Sequence, residues 1–141
     1  MAYASTQDMV SRFGLHEVIA ISDRGNSGDV DEAVLAPALA EATAEIEGHL
    51  AARYSLPLAN VPLLVVGMCC DIARYRLSGA GVLETDPTRN RYRDAVRMLE
   101  MIGAGKLDLG LNQAGQPAPT STAVHVAPGE RSFPAGSLKD W

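Results

Sequence analysis

The stretch that most constrains this chain is Pro62 to Leu77, PLLVVGMCCDIARYRL. It is apolar on every side through Cys70 and then turns charged at Asp71, Arg74 and Arg76. A segment with no polar face has nothing to show to water, so it belongs in the middle of a domain with other elements packed around it. Pro62 suits a first helical turn, where its missing N–H has no helical partner to lose. Leu63-Leu64-Val65-Val66 alone would also suit a buried strand. However, Ile72, Tyr75 and Leu77 carry the pattern over about four turns, and that length favours a helix. The run is too short to cross a bilayer, and its charges cut it off. The expectation is a central helix in which a charge placed at Leu64 or Ile72 would enter the apolar interior. On such a helix Cys69 and Cys70 diverge by about 100°, which makes them poor disulfide partners and leaves them as small apolar core residues.

The elements expected around this helix follow from periodicity and capping. Residues 5–13 read as a short helix with Ser5 or Thr6 as N-cap, Asp8 in the first turn and Gly14 as the stop. Leu15 to Ile21 is a second short helical turn carrying Leu15, Val18 and Ile19. The polar loop Ser22–Asp31 holds Asp23, Asp29 and Asp31, but it lacks the EF-hand order of acids and glycine, so it reads as a turn and helix N-cap rather than a calcium site. A long helix runs from about Val30 or Asp31 to Tyr54, with Leu35, Leu39, Ala42, Ile46 and Leu50 on one face. Glu41, Glu45 and Glu47 lie off that line and are expected in solvent. Pro37 either kinks this helix or marks its true first turn, and the strength of the pattern beyond it favours one helix with a bend. Alanines 38, 40, 42 and 44 allow close approach of another helix. Tyr54–Pro62 is a connection whose Leu56, Leu58 and Val61 pack on the domain. Thr85 or Asp86 caps the next helix, with Pro87 in its first turn. That helix runs to about Ile102, with Tyr92, Val96, Leu99 and Ile102 or Gly103 as its apolar stripe and Arg89, Arg91, Arg93 and Arg97 elsewhere. Leu107, Leu109 and Leu111 alternate with Asp108 and Gly110 as a short extended segment. From Asn112 onward prolines and glycines dominate, which reads as an extended or flexible arm. The arm carries Phe133, Leu138 and the single tryptophan, Trp141. The fold expected is all-α: a small helical bundle around a central apolar helix, comprising a domain over 1–111 and an arm over 112–141.

Composition and charge narrow the function. A chain of 141 residues is one domain, long enough for a real core. No basic and apolar leader pattern opens the sequence, so a signal peptide is not expected, and neither is a membrane partner. The net charge of −5 is uneven. Residues 1–52 hold nine acids against two arginines, whereas residues 53–97 hold seven arginines against four acids. A net acidic protein is a poor general DNA binder, but a molecule with an acidic part and an arginine-rich part attracts copies of itself head to tail. No catalytic constellation emerges. His16, His49 and His125 are isolated, with no metal-ligand spacing, and GAGVLE and GAGKLD lack the spacing and context of a phosphate loop. Neither enzymatic activity nor a cofactor is expected. A helix-turn-helix regulator is the rival reading from the arginine-rich helix, although that helix lacks an obvious base-reading set.

YASTQDMVSRFG, ALAEATAEIEGHLAARYSLPL, VPLLVVGMCCDIARYRLSG and RYRDAVRMLEMIGAGKLDLGL, in that order over residues 3–111, resemble the Mu-like phage and prophage small helical proteins of the head–tail connector type. AEIEGHLAARYSLPL and CDIARYRL are the most specific pieces, and RSFPAGSLKDW is similar to the ends of such proteins. The resemblance implies a structural subunit that forms a homo-oligomeric ring between portal and tail. It would reside in the virion neck, and in the host cytoplasm during assembly, with DNA passing through the ring rather than being read by it. It implies portal and neck or tail proteins as partners and carries over no catalytic residue. The alternative is a small helical DNA-binding regulator or DNA-packaging accessory protein. The residues expected to make subunit or partner contacts are Arg89, Arg91, Arg93, Arg97, Phe133, Leu138 and Trp141.

Overall fold

Each helix begins where the chain supplies a cap. In the computed structural model, which describes residues 1–79 and 86–119, Ser5 accepts from the Asp8 backbone N–H while Asp8 returns a bond to the Ser5 N–H. This reciprocal box starts α1, Thr6–Phe13. Gly14 ends it at φ 89°, a left-handed conformation that a Cβ disfavours, and the chain re-enters a helix at once as α2, Leu15–Ser22. In the loop that follows, Asp23 accepts from the backbone N–H groups of Ser27 and Gly28. Asp31 caps α3, Glu32–Leu50, through the Ala33 N–H. The loop carboxylates thus make a turn and a cap, as their spacing indicates. Asp86 caps α5, Pro87–Gly103, through the Thr88 N–H, with Pro87 at the start. No strand occurs among the described residues; Leu111 and Pro117 form one isolated antiparallel bridge.

The central helix is α4, Leu63–Ser78, and it touches each of the other four helices. Val65, Met68, Cys69, Cys70, Ile72 and Ala73 are buried along it, and both cysteines are free thiols. Two expectations about it need correction. Pro62 is the N-cap, one position before the helix, with extended backbone. The run is also not buried all round: Leu63 is 88% and Leu64 42% exposed, while Asp71, expected to mark the polar end, is 7% exposed. The charge tolerates burial because Arg12 of α1 reaches it. The leucines stay outside because the first turn of α4 lies on the surface.

On α3 the expected face is buried in full: Leu35, Leu39, Ala42, Ile46 and Leu50. Pro37 sits inside this single helix on its exposed side, so the N–H it lacks is lost from the outer face of the helix and not from the core. The four alanines divide, Ala38 and Ala42 into the core and Ala40 and Ala44 to the outside. Glu41 is exposed as expected, but Glu45 and Glu47 are half-buried and bonded. On α5 the buried line is Thr88, Ala95, Leu99 and Ile102, with Tyr92 and Val96 half-buried. Alanine 95, not Val96, faces inward. Tyr92 stacks flat on Tyr75 of α4, with ring centroids 4.1 Å apart. At the end of α5 Gly103 lies so close to α3 that a Cβ there would stand 2.7 Å from the His49 carbonyl oxygen.

Tyr3 joins three parts of the chain. Its backbone N–H donates to the Thr43 hydroxyl, and its own hydroxyl donates to Glu47 and accepts from the Leu58 N–H. Leu58 and Tyr54 in the connection are buried, and Leu56 and Val61 pack against the core. The segment after Leu111 also packs on this connection: the Gln113 carbonyl accepts from the Ser55 N–H at 2.8 Å, and the Asn60 amide donates to the Gly115 carbonyl. Residues 112–119 therefore lie against the body.

Candidate interaction surfaces

The arginines separate into those that hold the body together and those that do not. Arg12 grips Asp71 with two parallel bonds, Nε to Oδ1 at 3.0 Å and Nη2 to Oδ2 at 2.7 Å. The fork ties α1 to the middle of α4, and the carboxylate raises the Arg12 pKa above its ordinary value. Arg74 pairs with Glu17 of α2 and lies over the Phe13 ring, 4.6 Å from its centroid. Arg76 bridges Glu41 and Glu45 of α3, at 3.3 and 2.6 Å, and Glu45 also accepts from the Tyr92 hydroxyl. Arg53 donates to the carbonyls of Ile102 and Leu107, closing the C-terminal end of α5, and approaches Asp108 at 3.6 Å.

The four arginines of α5 do not act as one group. Arg89 is half-buried and partnered. Arg93 and Arg97, one turn apart, lie on the outer face and are exposed. Arg91 is exposed on the flank of α5 and lines a groove of about 200 Å³ together with Leu63, Leu64, Gly67, Asp94 and Met98. Arg91, Arg93 and Arg97 make no ion pair among the described residues. Phe133, Leu138 and Trp141 lie outside the described residues.

Sequence reasoning missed the leucine rim of this groove, because it assigned the whole apolar run to the interior. It also missed a second surface on the other side of the molecule. Met1, Ala2, Ala40, Ala44, Glu47 and Pro57 line a hollow of about 330 Å³ on the outer side of α3. The alternation of Ala38 and Ala42 with Ala40 and Ala44 was its available signal. The thiols contribute no reactive centre, since burial pushes Cys70 up to about 12 and raises Cys69 as well.

Among the described residues, five helices with their core around one apolar helix define a small all-α protein. The chain belongs to the family described as Bacteriophage Mu, Gp36, which matches residues 3–128. It is 37% identical over 123 residues to "Gene product J" of Escherichia phage Mu, covering 84% of each chain. It is 36% identical over 110 residues to "Mu-like prophage FluMu protein gp36" of Haemophilus influenzae, covering 78% of this chain and 77% of that protein. Membership of a Mu-like phage and prophage family agrees with the resemblance in the sequence. Phe133, Leu138 and Trp141 fall beyond the matched stretch. Among the described residues no helix is long and apolar enough to cross a membrane.

Proposed function

We propose that this protein is a structural and assembly protein of the phage particle, and specifically a head–tail connector subunit that forms a homo-oligomeric ring in the neck between portal and tail. The role is non-enzymatic, with DNA passing through the ring. The observation that carries the reading is the division of the arginines: Arg12, Arg74 and Arg76 are engaged in ion pairs between helices, while Arg91, Arg93 and Arg97 are exposed and make no ion pair among the described residues. Unpaired guanidinium groups on a rigid helix are contact-forming groups for an acidic surface. Phage family membership supports placing that contact in the particle. The test is electron microscopy of the purified protein alone and mixed with its portal. Rings, or density seated on the portal, are expected. A protein that stays monomeric at all concentrations and ignores the portal would remove the connector reading.

The same outward arginines are what a DNA-binding accessory protein would display. With a net charge of −5 the expected duplex binding is weak, salt-sensitive and indifferent to sequence. Tight, sequence-selective binding by fluorescence anisotropy at physiological salt would move the assignment to the regulator.

A further inference from the structure

After Leu111 the chain turns back on itself: Leu111 and Pro117 form the antiparallel bridge, and the Ala118 N–H donates to the Gly110 carbonyl. The tip of this turn is fixed to the connection before α4. There the Asn60 amide donates to the Gly115 carbonyl, and a Cβ on Gly115 would stand 3.2 Å from the Ala59 nitrogen. From that tip the chain runs back toward Gly110, away from Asn60 and the start of α4. Residues 120–141 of the sequence lie beyond the described part. They span up to roughly 70 Å, and Phe133 is reached within roughly 46 Å of Pro119. A body of about 110 residues has a radius of gyration of about 13 Å, hence a diameter of about 35 Å. This segment is therefore long enough to cross from one copy to its neighbour.

Leu63, 88% exposed, stands between two grooves that share Leu63, Gly67 and Arg12. Toward α5, the groove of about 200 Å³ has Leu64 and Met98 in its wall and Arg91 and Asp94 at its rim. Toward α1, a hollow of about 300 Å³ is lined by Val66 and Asp8. Gly67 leaves the floor between them without a side chain. Arg12 is held by Asp71, and Asp8 by Ser5, whereas Arg91 and Asp94 make no ion pair among the described residues. The rim thus carries one unpaired charge of each sign. A partner face of a single sign would meet one of the two as a like charge. A segment whose apolar anchors are interleaved with one base and one acid would not. Residues 120–141 have that pattern: Glu130 and Arg131 precede Phe133, and Lys139 and Asp140 stand between Leu138 and Trp141.

We infer that Phe133, Leu138 and Trp141 of one copy seat in the grooves beside Leu63 of a second copy, with Lys139 toward Asp94 and Asp140 toward Arg91. This rests on the ring reading and names the contact that joins one subunit to the next. Arm and groove are unlike surfaces and each copy offers one of each, so the contact is heterologous and repeats from copy to copy. Aromatic anchors seated in a groove and ringed by polar groups are the residues on which such contacts chiefly depend.

Trp141 is the only tryptophan of the sequence, so its fluorescence reports its burial directly. In the full chain its emission should move to shorter wavelength as protein concentration rises, in step with the mass seen by analytical ultracentrifugation. Leu63→Asp should keep the emission solvent-like and weaken self-association by about thirtyfold or more, as for the loss of an interface hot spot. Leu63 is exposed, so circular dichroism should match the parent, and Leu63→Ser gives a milder second variant. The triple variant Phe133→Ala, Leu138→Ala, Trp141→Ala keeps the groove and loses the anchors. Mixed with Leu63→Asp, which keeps the anchors and loses the groove, it should form a one-to-one complex with the remaining tryptophan buried. Emission that stays solvent-like in the parent at every concentration would overturn the contact. So would a short-wavelength emission that does not depend on concentration and is lost in Leu63→Asp, because the arm would then fill the groove of its own copy. Association untouched by both Leu63 variants would overturn the groove, while rings on the portal would leave the ring reading standing. Pairing of the two variants with no rings by electron microscopy would uphold the contact and remove the ring reading.

Discussion

Removing Arg12 strands Asp71, the one buried carboxylate among the described residues. The Asp71 side chain is 9% exposed and receives both guanidinium bonds, whereas the Arg12 side chain is 40% exposed. Breaking a fully buried pair costs about 3–5 kcal/mol, and breaking an exposed one about 0–1 kcal/mol. This pair lies between those limits because water screens one partner. Arg12→Ala should therefore cost about 2 kcal/mol, mostly from a carboxylate left without donors. Asp71→Ala should cost only about 1 kcal/mol, because the guanidinium it leaves behind already reaches solvent. The double variant should cost less than the sum by about 1 kcal/mol, since the two residues are in direct contact. Urea unfolding followed by circular dichroism measures this, and the Arg12→Ala midpoint should fall by about 1 M at an unchanged slope. A cost for Asp71→Ala larger than that for Arg12→Ala would refute the asymmetry of burial on which the reasoning depends.

Two helical glycines should respond with opposite signs. Gly103→Ala drives a Cβ to 2.7 Å from the His49 carbonyl and should destabilise by about 1–3 kcal/mol. Gly48→Ala meets nothing within 4 Å and should stabilise by about 0.5–1 kcal/mol; melting temperatures shifting in the same direction would contradict the packing. Ile72→Asp should unfold the domain or cost several kcal/mol, about the scale of an unpaired buried charge, while Leu64→Asp should melt near the parent because Leu64 is already on the surface. At high pH, burial of the Cys70 thiol and the Tyr3 hydroxyl holds both at about 12, against ordinary values of 9.0 and 10.0. Groups raised in the fold support it fully below their unfolded pKa, so stability should fall as pH rises from about 9 through about 12. Cys70→Ala and Tyr3→Phe should each flatten part of that decline, and a parent midpoint constant over this window would rule the linkage out.

The helices were legible because their signals are local. Ser5, Asp31 and Asp86 sit two or three residues from the N–H groups they cap, and the buried face of α3 repeats at steps of three and four. Burial at the ends and margins of elements was less legible. Leu63 and Leu64 read as core because hydropathy reports what a residue would prefer, not whether another helix arrives to cover it. Asp71 read as the polar end of the run because its partner belongs to α1, 59 residues earlier. The choice between Ala95 and Val96 on α5 is a matter of about 100° of rotation between two apolar neighbours. Packing makes that choice by admitting the smaller side chain.

The charge pattern changes meaning once the partners are known. The acidic first third and the basic middle of the chain suggested two unlike faces for contact between copies. In the fold much of that opposition is satisfied within one copy, since Glu17, Glu41 and Glu45 of the acidic part bind Arg74 and Arg76 of the basic part. Asp71, an acid within the basic part, likewise takes Arg12 from the acidic part. These pairs fasten α1, α2 and α3 to α4. What remains for assembly is smaller: Arg91, Arg93 and Arg97 on α5, exposed and without an ion pair among the described residues. Exposed charges of this kind contribute modestly to affinity and chiefly select the partner and orientation. The strength of a contact between copies therefore has to come from apolar burial, for which Leu63 and Leu64 are exposed beside Arg91, so association should survive raised salt better than it survives an aspartate at Leu63. A self-association constant that collapsed between 0.1 and 0.5 M salt, both on the order of ordinary buffer strengths, would reverse that ranking and make the arginines the principal contact.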